Sequence, residues 1–252
     1  MSDIYQTPKA NLEAETSSSD NFGSIEQGIR GDYRFYISEV LNEAWEKTSG
    51  AKGTFWLAII IYIAISIGLS IVSQIFLAII ANVTANNETI VILFSIVFQL
   101  LFNIVLLPVG MGLVILGIRR SAGASIQAGS IMGYFSSMFR LFFTYLLLTV
   151  MILIGFLLLI IPGIYLSVAY YFALPLVAEK GLRPWEAMEI SRKAISKRWF
   201  TMFFFFIILS LIIIASMIPL GIGLIWTLPM SLIAYGIIYR NMFGIRDETL
   251  VE

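Results

Sequence analysis

The chain has 252 residues, 59% hydrophobic and only 13% charged, against roughly 45–50% apolar and about 25% charged in soluble domains. Its 16 basic and 16 acidic residues leave no positive excess for nucleic acid. With no Cys and no His it lacks disulfides, thiolate nucleophiles, imidazole acid–base groups and the usual zinc, copper and haem ligands. These absences argue against an enzyme, a metal or another cofactor, and for a chain whose main solvent is the bilayer.

Residues 1–28 are rich in Ser, Glu, Asn and Gln with no apolar period, which predicts a disordered cytoplasmic tail. No short apolar core followed by a small-residue cleavage site is present, so no cleaved signal peptide is expected. Within the tail Tyr5, Pro8, Ala10 and Leu12 stand out. They suit a short docking motif for another membrane or cytoplasmic protein, a solvated leader being the plainer alternative. Residues 29–53 predict an amphipathic cytoplasmic helix with Asp32 as N-cap and Tyr33, Tyr36, Ile37, Val40, Leu41 and Ala44 on one stripe.

Residues 54–240 predict six transmembrane helices arranged as three hairpins, each preceded by a cytoplasmic amphipathic helix, in an all-α polytopic fold. The first two spans are the apolar runs 55–81 and 89–118, joined by a short polar break. Two longer apolar runs follow, each divided by helix breakers, Pro162-Gly163 in the first and Pro219-Leu220-Gly221-Ile222-Gly223 in the second. They give spans near 141–161, 163–178, 200–218 and 222–240, the fourth alternatively kinked at Pro175. Residues 241–252 form a C-terminal cytoplasmic tail. On this reading all 16 basic residues fall on one side, so both termini are expected in the cytoplasm.

The connecting helices differ in strength. At helical spacing Ala187, Met188, Ile190, Ala194 and Ile195 share an apolar face opposite Glu186, Glu189, Arg192, Lys193 and Lys197. A weaker version runs over 125–139. Arg192, Lys193, Lys197 and Arg198 are candidate contacts for anionic lipid headgroups, ordinary positive-inside topology being the competing explanation. Trp56, Trp199 and Phe200 fall at expected interfaces, and Gly110, Gly112 and Gly117 would allow a close helix approach.

No Asp, Glu, Lys or Arg lies inside the proposed spans away from their ends, which excludes a proton relay or voltage sensor of the usual kind. The neutral polar residues Gln74, Gln99 and Asn103 are the candidate intramembrane cluster. Either they line a small polar cavity or they serve as interhelical hydrogen-bond glue.

The stretch 162–179, from Pro162-Gly163 through Tyr170-Tyr171-Phe172 to Pro175 and Glu179, followed by Pro184-Trp185-Glu186-Ala187 up to Arg192, resembles poorly characterised bacterial inner-membrane proteins. These are the YciC-type family and the membrane domain that accompanies some glycerophosphodiester phosphodiesterases. The resemblance covers about residues 160–200 and implies a bacterial inner-membrane address without supplying catalytic residues. The expectation is a non-catalytic membrane protein acting by binding, as a scaffold, assembly factor or regulator, with membrane lipids among its partners. An uncoupled transporter or channel for a small amphiphile or lipid, and a bacteriocin immunity protein, are the alternatives.

Overall fold

The computed structural model describes residues 22–84 and 87–251. Tyr5, Pro8, Ala10 and Leu12 lie outside them. The described chain is helical, with no strand: α1 (Ile25–Arg30), α2 (Ile37–Thr48), α3 (Lys52–Val83), α4 (Glu88–Ser121), a 3-10 segment (Ala128–Ser137), α5 (Met138–Leu158), α6 (Ile160–Ala169), α7 (Ala173–Lys180), α8 (Pro184–Ser196), α9 (Trp199–Met217), α10 (Leu224–Phe243) and α11 (Asp247–Val251). Five stretches are long and apolar enough to cross a membrane: α3, α4, the 3-10 segment with α5, α6 with α7, and α9. This is a multi-pass helical membrane protein. The 20-residue α10 is less apolar and ends on Arg240, Asn241, Met242 and Phe243. It is the central helix, with protein rather than lipid around it, so it can carry Thr227, Tyr235 and Tyr239 along its length.

α4 and α10 pass so closely that their backbones touch. A Cβ on Gly236 would fall inside van der Waals contact of the Gly117 carbonyl oxygen, and one on Gly117 would meet the Leu232 carbonyl. Gly112 similarly abuts the backbone of Ile131 in the 3-10 segment, whereas Gly110 leaves room, its nearest neighbour Tyr62 being 3.7 Å from a built Cβ. Of the three glycines expected to allow close approach, two do.

The helix breaks fall near the expected prolines but not on them. The α5–α6 turn is made at Leu159, extended at φ −165°, and Pro162 sits in the first turn of α6. There its missing N–H costs nothing. Gly155 and Gly163 face each other across the turn, a Cβ on the first lying 3.1 Å from Cα of the second. Likewise α6 and α7 part at Tyr170-Tyr171-Phe172, and Pro175 is the third residue of α7, so the expected kink at Pro175 moves upstream for the same reason. Between α9 and α10 the break lies where expected, with Leu220 and Gly221 both at positive φ.

The described ends of the chain gather at one end of the bundle, called the inner end below. Residues 22–28, expected to belong to a disordered tail, are folded. The Ser24 hydroxyl accepts from the Gln27 N–H at the start of α1, and the Gly23 N–H donates to the Arg240 carbonyl at 3.1 Å. α2 starts at Ile37 rather than near Asp32, leaving Tyr36 as an exposed flanking residue, while Val40, Ala44 and Thr48 form its buried face. Tyr33 lies outside the helix but is buried, and its hydroxyl donates to the Ala194 carbonyl. Burial pushes that phenol up to about 12, against the pull of Arg198.

At this end α2, α4 and α10 are tied by charge. Arg240 forms a two-pronged pair with Glu43, at 2.9 and 3.1 Å, and also donates to the Ser121 carbonyl. Lys47 donates to the same carbonyl at 2.6 Å and lies 3.3 Å from Glu43, while Arg120 donates back to the carbonyls of Lys47 and Ser49. Such cations at the ends of α2 and α4 satisfy carbonyls the helices leave open. Burial would push the Glu43 carboxyl up, but the bonds to and charge of Arg240, joined by Lys47, outweigh it and hold the group below the usual carboxylate range. A depressed folded value means that the pair's stabilisation is complete above the unfolded value of about 4.3 and is lost as pH falls through the folded value. Thermal unfolding in detergent is therefore expected to separate wild type from Glu43→Gln at pH 7. That gap should close on acidification below pH 4, and a gap constant with pH would refute the assignment.

A second tie holds the C-terminal residues, expected as a tail. Glu179 has a side chain with no solvent exposure and accepts from the Tyr239 hydroxyl at 2.8 Å, the Arg246 N–H at 2.7 Å and the Thr249 hydroxyl at 3.2 Å. Lys180 adds its charge 3.4 Å away. Residues 244–251 are thereby fastened to α7 and α10.

Candidate functional site: a tyrosine-lined cleft

The break between α6 and α7 sets the geometry of the site. A helix interrupted inside an apolar layer leaves backbone groups that need partners. Here α8 supplies one: the Ser191 hydroxyl donates to the Ala169 carbonyl at 2.8 Å and accepts from the Phe172 N–H at 3.1 Å. Ser191 is fully buried, on the same face as Ala187, Met188, Ile190, Ala194 and Ile195. The apolar face read from the sequence is the buried face, packed against the broken helix and its neighbours.

The break then aims its aromatics in two directions. Phe172 turns inward, fully buried, its ring 4.8 Å from Tyr235, 5.9 Å from Tyr239 and 5.7 Å from Phe243 on α10. Tyr171 turns the other way, its ring 4.1 Å from Phe206 and 5.0 Å from Tyr235, and its carbonyl accepts from the Tyr235 hydroxyl at 3.1 Å.

Between α4, α5, the α6–α7 break and α10 lies a partly open cleft of about 360 Å³, within the roughly 300–1,000 Å³ usual for ligand sites. Met111, Val114, Leu148, Ile152 and Leu174 supply an apolar wall, and Tyr145, Thr149, Ser167, Tyr170, Tyr171 and Tyr235 the rest. Thr149 and Ser167 spend their hydroxyls on the carbonyls of Tyr145 and Gly163 within their own helices. Among the described residues the hydroxyls of Tyr145, Tyr170 and Tyr171 have no hydrogen-bond partner, while that of Tyr235 donates to the Tyr171 carbonyl. No charged side chain lines the cleft. What it offers is an apolar slot with three unengaged phenol groups, suited to an uncharged chain with a hydrogen-bonding end rather than to acid–base work.

The sequence candidates fall elsewhere. Gln74 and Gln99 are exposed on the outer halves of α3 and α4, and the Asn103 amide donates to the Gln99 carbonyl one turn away at 2.8 Å. None of the three lines the cleft. Of the two readings of these residues, a polar cavity is not formed within the described residues there, because no buried residue of α3 lies beyond Ala58 and none of α4 before Leu106. Toward their outer ends the two helices pack on each other, as where Phe76 meets Phe98 at 5.6 Å.

The basic group on α8 is accessible but partly committed. Arg192 holds Glu189 with two bonds, at 2.7 and 3.0 Å, and Lys193 lies 3.3 Å from the same carboxylate. The bonds from Arg192, with help from Lys193, keep Glu189 below its ordinary value. Lys197 packs beside Gly31, and Arg198 covers the Tyr33 ring at 5.6 Å. Trp56 and Trp199, expected as interfacial anchors, bind across helices through their indole N–H groups, to the carbonyls of Ile225 and Tyr165.

Among the described residues no group of three or more His, Cys, Asp or Glu side chains is placed to hold a metal ion. Arg119 is buried at the inner end of α4 with Nε and Nη2 lacking partners among these residues, and it is not part of the cleft wall. The residues missed from the sequence are Tyr145, Tyr171 and Ser191. The aromatic triplet 170–172 in a short span was the signal available for the break.

Fold and site together define a multi-pass helical membrane protein with a ligand-sized cleft among its helices. Comparison with protein-family models, with characterised proteins and with solved structures gives no significant match.

Proposed function

We propose that this is a non-catalytic membrane protein of the bacterial inner membrane that acts by binding, its cleft taking the apolar chain of a lipid or other amphiphile. The observation that carries this reading is the set of three unpartnered phenol hydroxyls, Tyr145, Tyr170 and Tyr171, in an otherwise apolar cleft of ligand size. They would hold an ester, ether or hydroxyl while Leu148, Ile152 and Met111 cover the chain. Passive movement of such a molecule between leaflets, the uncoupled transport reading, uses the same site and needs no intramembrane charge.

The topology we propose has six spans in three hairpins, α10 being the sixth, with both ends in the cytoplasm. Two features support it. The inner end gathers residues 22–30, Ser121, Arg240 and Arg246, as an even number of crossings requires. Lys47, Arg120 and Lys180, read from the sequence as cytoplasmic, lie there too. The resemblance to YciC-type proteins and to phosphodiesterase membrane domains rests on the residues that form α6, the break, α7 and α8, and we extend it to a shared inner-membrane address. Headgroup contact through Lys193, Lys197 and Arg198 fits the same orientation.

The test is photolabelling in nanodiscs with a phospholipid carrying a diazirine near its chain end, mapped by peptide mass spectrometry. Labels are expected on the Met111–Val114 and Tyr145–Ile152 peptides above the level on the exposed face of α9 around Leu211 and Ile214. Ile152→Trp, which adds bulk to the cleft wall, should cut labelling at Met111–Val114 several-fold and leave α9 unchanged. Equal labelling of cleft and α9 peptides, or no response to the substitution at an unchanged unfolding temperature, would refute the site.

A further inference from the structure

The outer parts of α3 and α4 are an oddity independent of the cleft. No residue is buried between Ile59 and Val83 or between Glu88 and Val105, and of their most apolar stretches α3 and α4 bury only 11% and 6%, against 50% for α6 with α7. Lipid covers apolar side chains without help. It does not satisfy amides, and each of these helices carries one that is unpaired: Gln74 and Gln99 are exposed, and their side chains have no hydrogen-bond partner among the described residues. The Phe76–Phe98 contact sets the two at about the same height. An amide in hydrocarbon with no partner is unfavourable and drives helix association.

α3 also offers a close-approach surface. Ala64 and Gly68 are four residues apart, both exposed, and a Cβ built on Gly68 meets nothing within 4 Å. At helical spacing they share a face with Ile60, Ile71 and Ile75, which are all exposed, and Gln74 flanks it. Small residues four apart on a lipid-facing stripe let two backbones approach.

We infer that this hairpin is where two copies of the chain associate, α3 against α3 through Ala64 and Gly68, with Gln74 and Gln99 hydrogen-bonding across the pair. The occupant is a second copy because an amide is both donor and acceptor, so a two-fold pair satisfies each Gln with its own kind. No charge lies on the surface between Lys52 and Glu88 to call for a partner of opposite sign.

The chain has no cysteine, so a single introduced thiol is an unambiguous reporter. Ile71→Cys on the proposed face and Leu153→Cys on exposed α5 would each be oxidised with copper phenanthroline in native membranes and in proteoliposomes at rising lipid dilution. The expected result is a disulfide-linked homodimer from Ile71→Cys that persists on dilution, with little from Leu153→Cys. Adding Gln74→Leu and Gln99→Leu should reduce it at least about five-fold at an unchanged unfolding temperature, since neither residue is packed inside the protomer. Equal cross-linking at both thiols, no dimer at any dilution, a product of heteromeric mass in native membranes, or indifference to the double Leu substitution would each overturn the proposal.

Discussion

Glu179→Leu is expected to lower the stability of the detergent-solubilised protein by about 3–5 kcal/mol, the scale seen when one member of a buried polar set is removed. Three donors converge on that carboxylate from three places in the chain: the Tyr239 hydroxyl of α10, the Arg246 N–H and the Thr249 hydroxyl of α11. Leucine fills much of the same volume and leaves all three, with Lys180, facing an apolar group. Glu179→Gln keeps one acceptor oxygen, and the Tyr239 hydroxyl can rotate to accept from the new amide nitrogen, so it should cost about 1 kcal/mol. Limited proteolysis separates this account from a general packing defect. In Glu179→Leu cleavage should appear first in residues 244–251, before any site in α9 or α10. An unchanged unfolding temperature for Glu179→Leu would mean that the buried carboxylate is not the fastening.

Gly236→Ala should prevent folding or cost more than about 3 kcal/mol, although it adds one methyl group. The added carbon would overlap the Gly117 carbonyl oxygen and crowd the Ile118 nitrogen, which are backbone atoms of a helix and cannot turn aside as a side chain does. To make room α4 and α10 must separate, and with them the Ser121 carbonyl from Arg240 and Lys47. Gly110→Ala on the same α4 is the matched control. Its nearest neighbour at 3.7 Å is an ordinary contact, and helix propensity favours alanine by about 1 kcal/mol. Gel-filtration profile and unfolding temperature of the two variants decide the matter: similar behaviour would mean that the α4–α10 crossing is looser than described.

What was legible in the sequence followed from short-range regularities. Apolar run length marked the crossing helices, helical spacing marked the buried face of α8 residue by residue, and the Pro219–Gly223 group marked the α9–α10 turn. What was not legible depended on partners far along the chain. Pro162 and Pro175 signalled breaks, but a proline is as well placed in the first turn after a break as in the break itself, so the turns moved to Leu159 and to Tyr170–Phe172. Nothing local to Ser191 says that it mends a gap in another helix. Gln74, Gln99 and Asn103 were grouped because Gln99 and Asn103, four apart, share a helix face with Gln74 opposite, and Gln74 and Gln99 do share a level. Spacing alone could not say whether that level faces a cavity or the lipid, since that depends on which neighbours reach it.

The unequal helix lengths have a consequence for the bilayer itself. α9 has 19 residues, roughly 28 Å, close to the roughly 30 Å of a typical hydrocarbon core, whereas the apolar runs 55–81 of α3 and 89–118 of α4 span roughly 40 and 45 Å. One molecule thus presents two hydrophobic lengths to a single membrane, and a flat bilayer cannot match both. An apolar rod of about 40 Å fits within about 30 Å only by leaning about 40° from the normal, or the lipid around it must stretch. The lean of this hairpin is therefore tied to local bilayer thickness, and a thinner or thicker membrane would swing it against a body anchored by shorter helices.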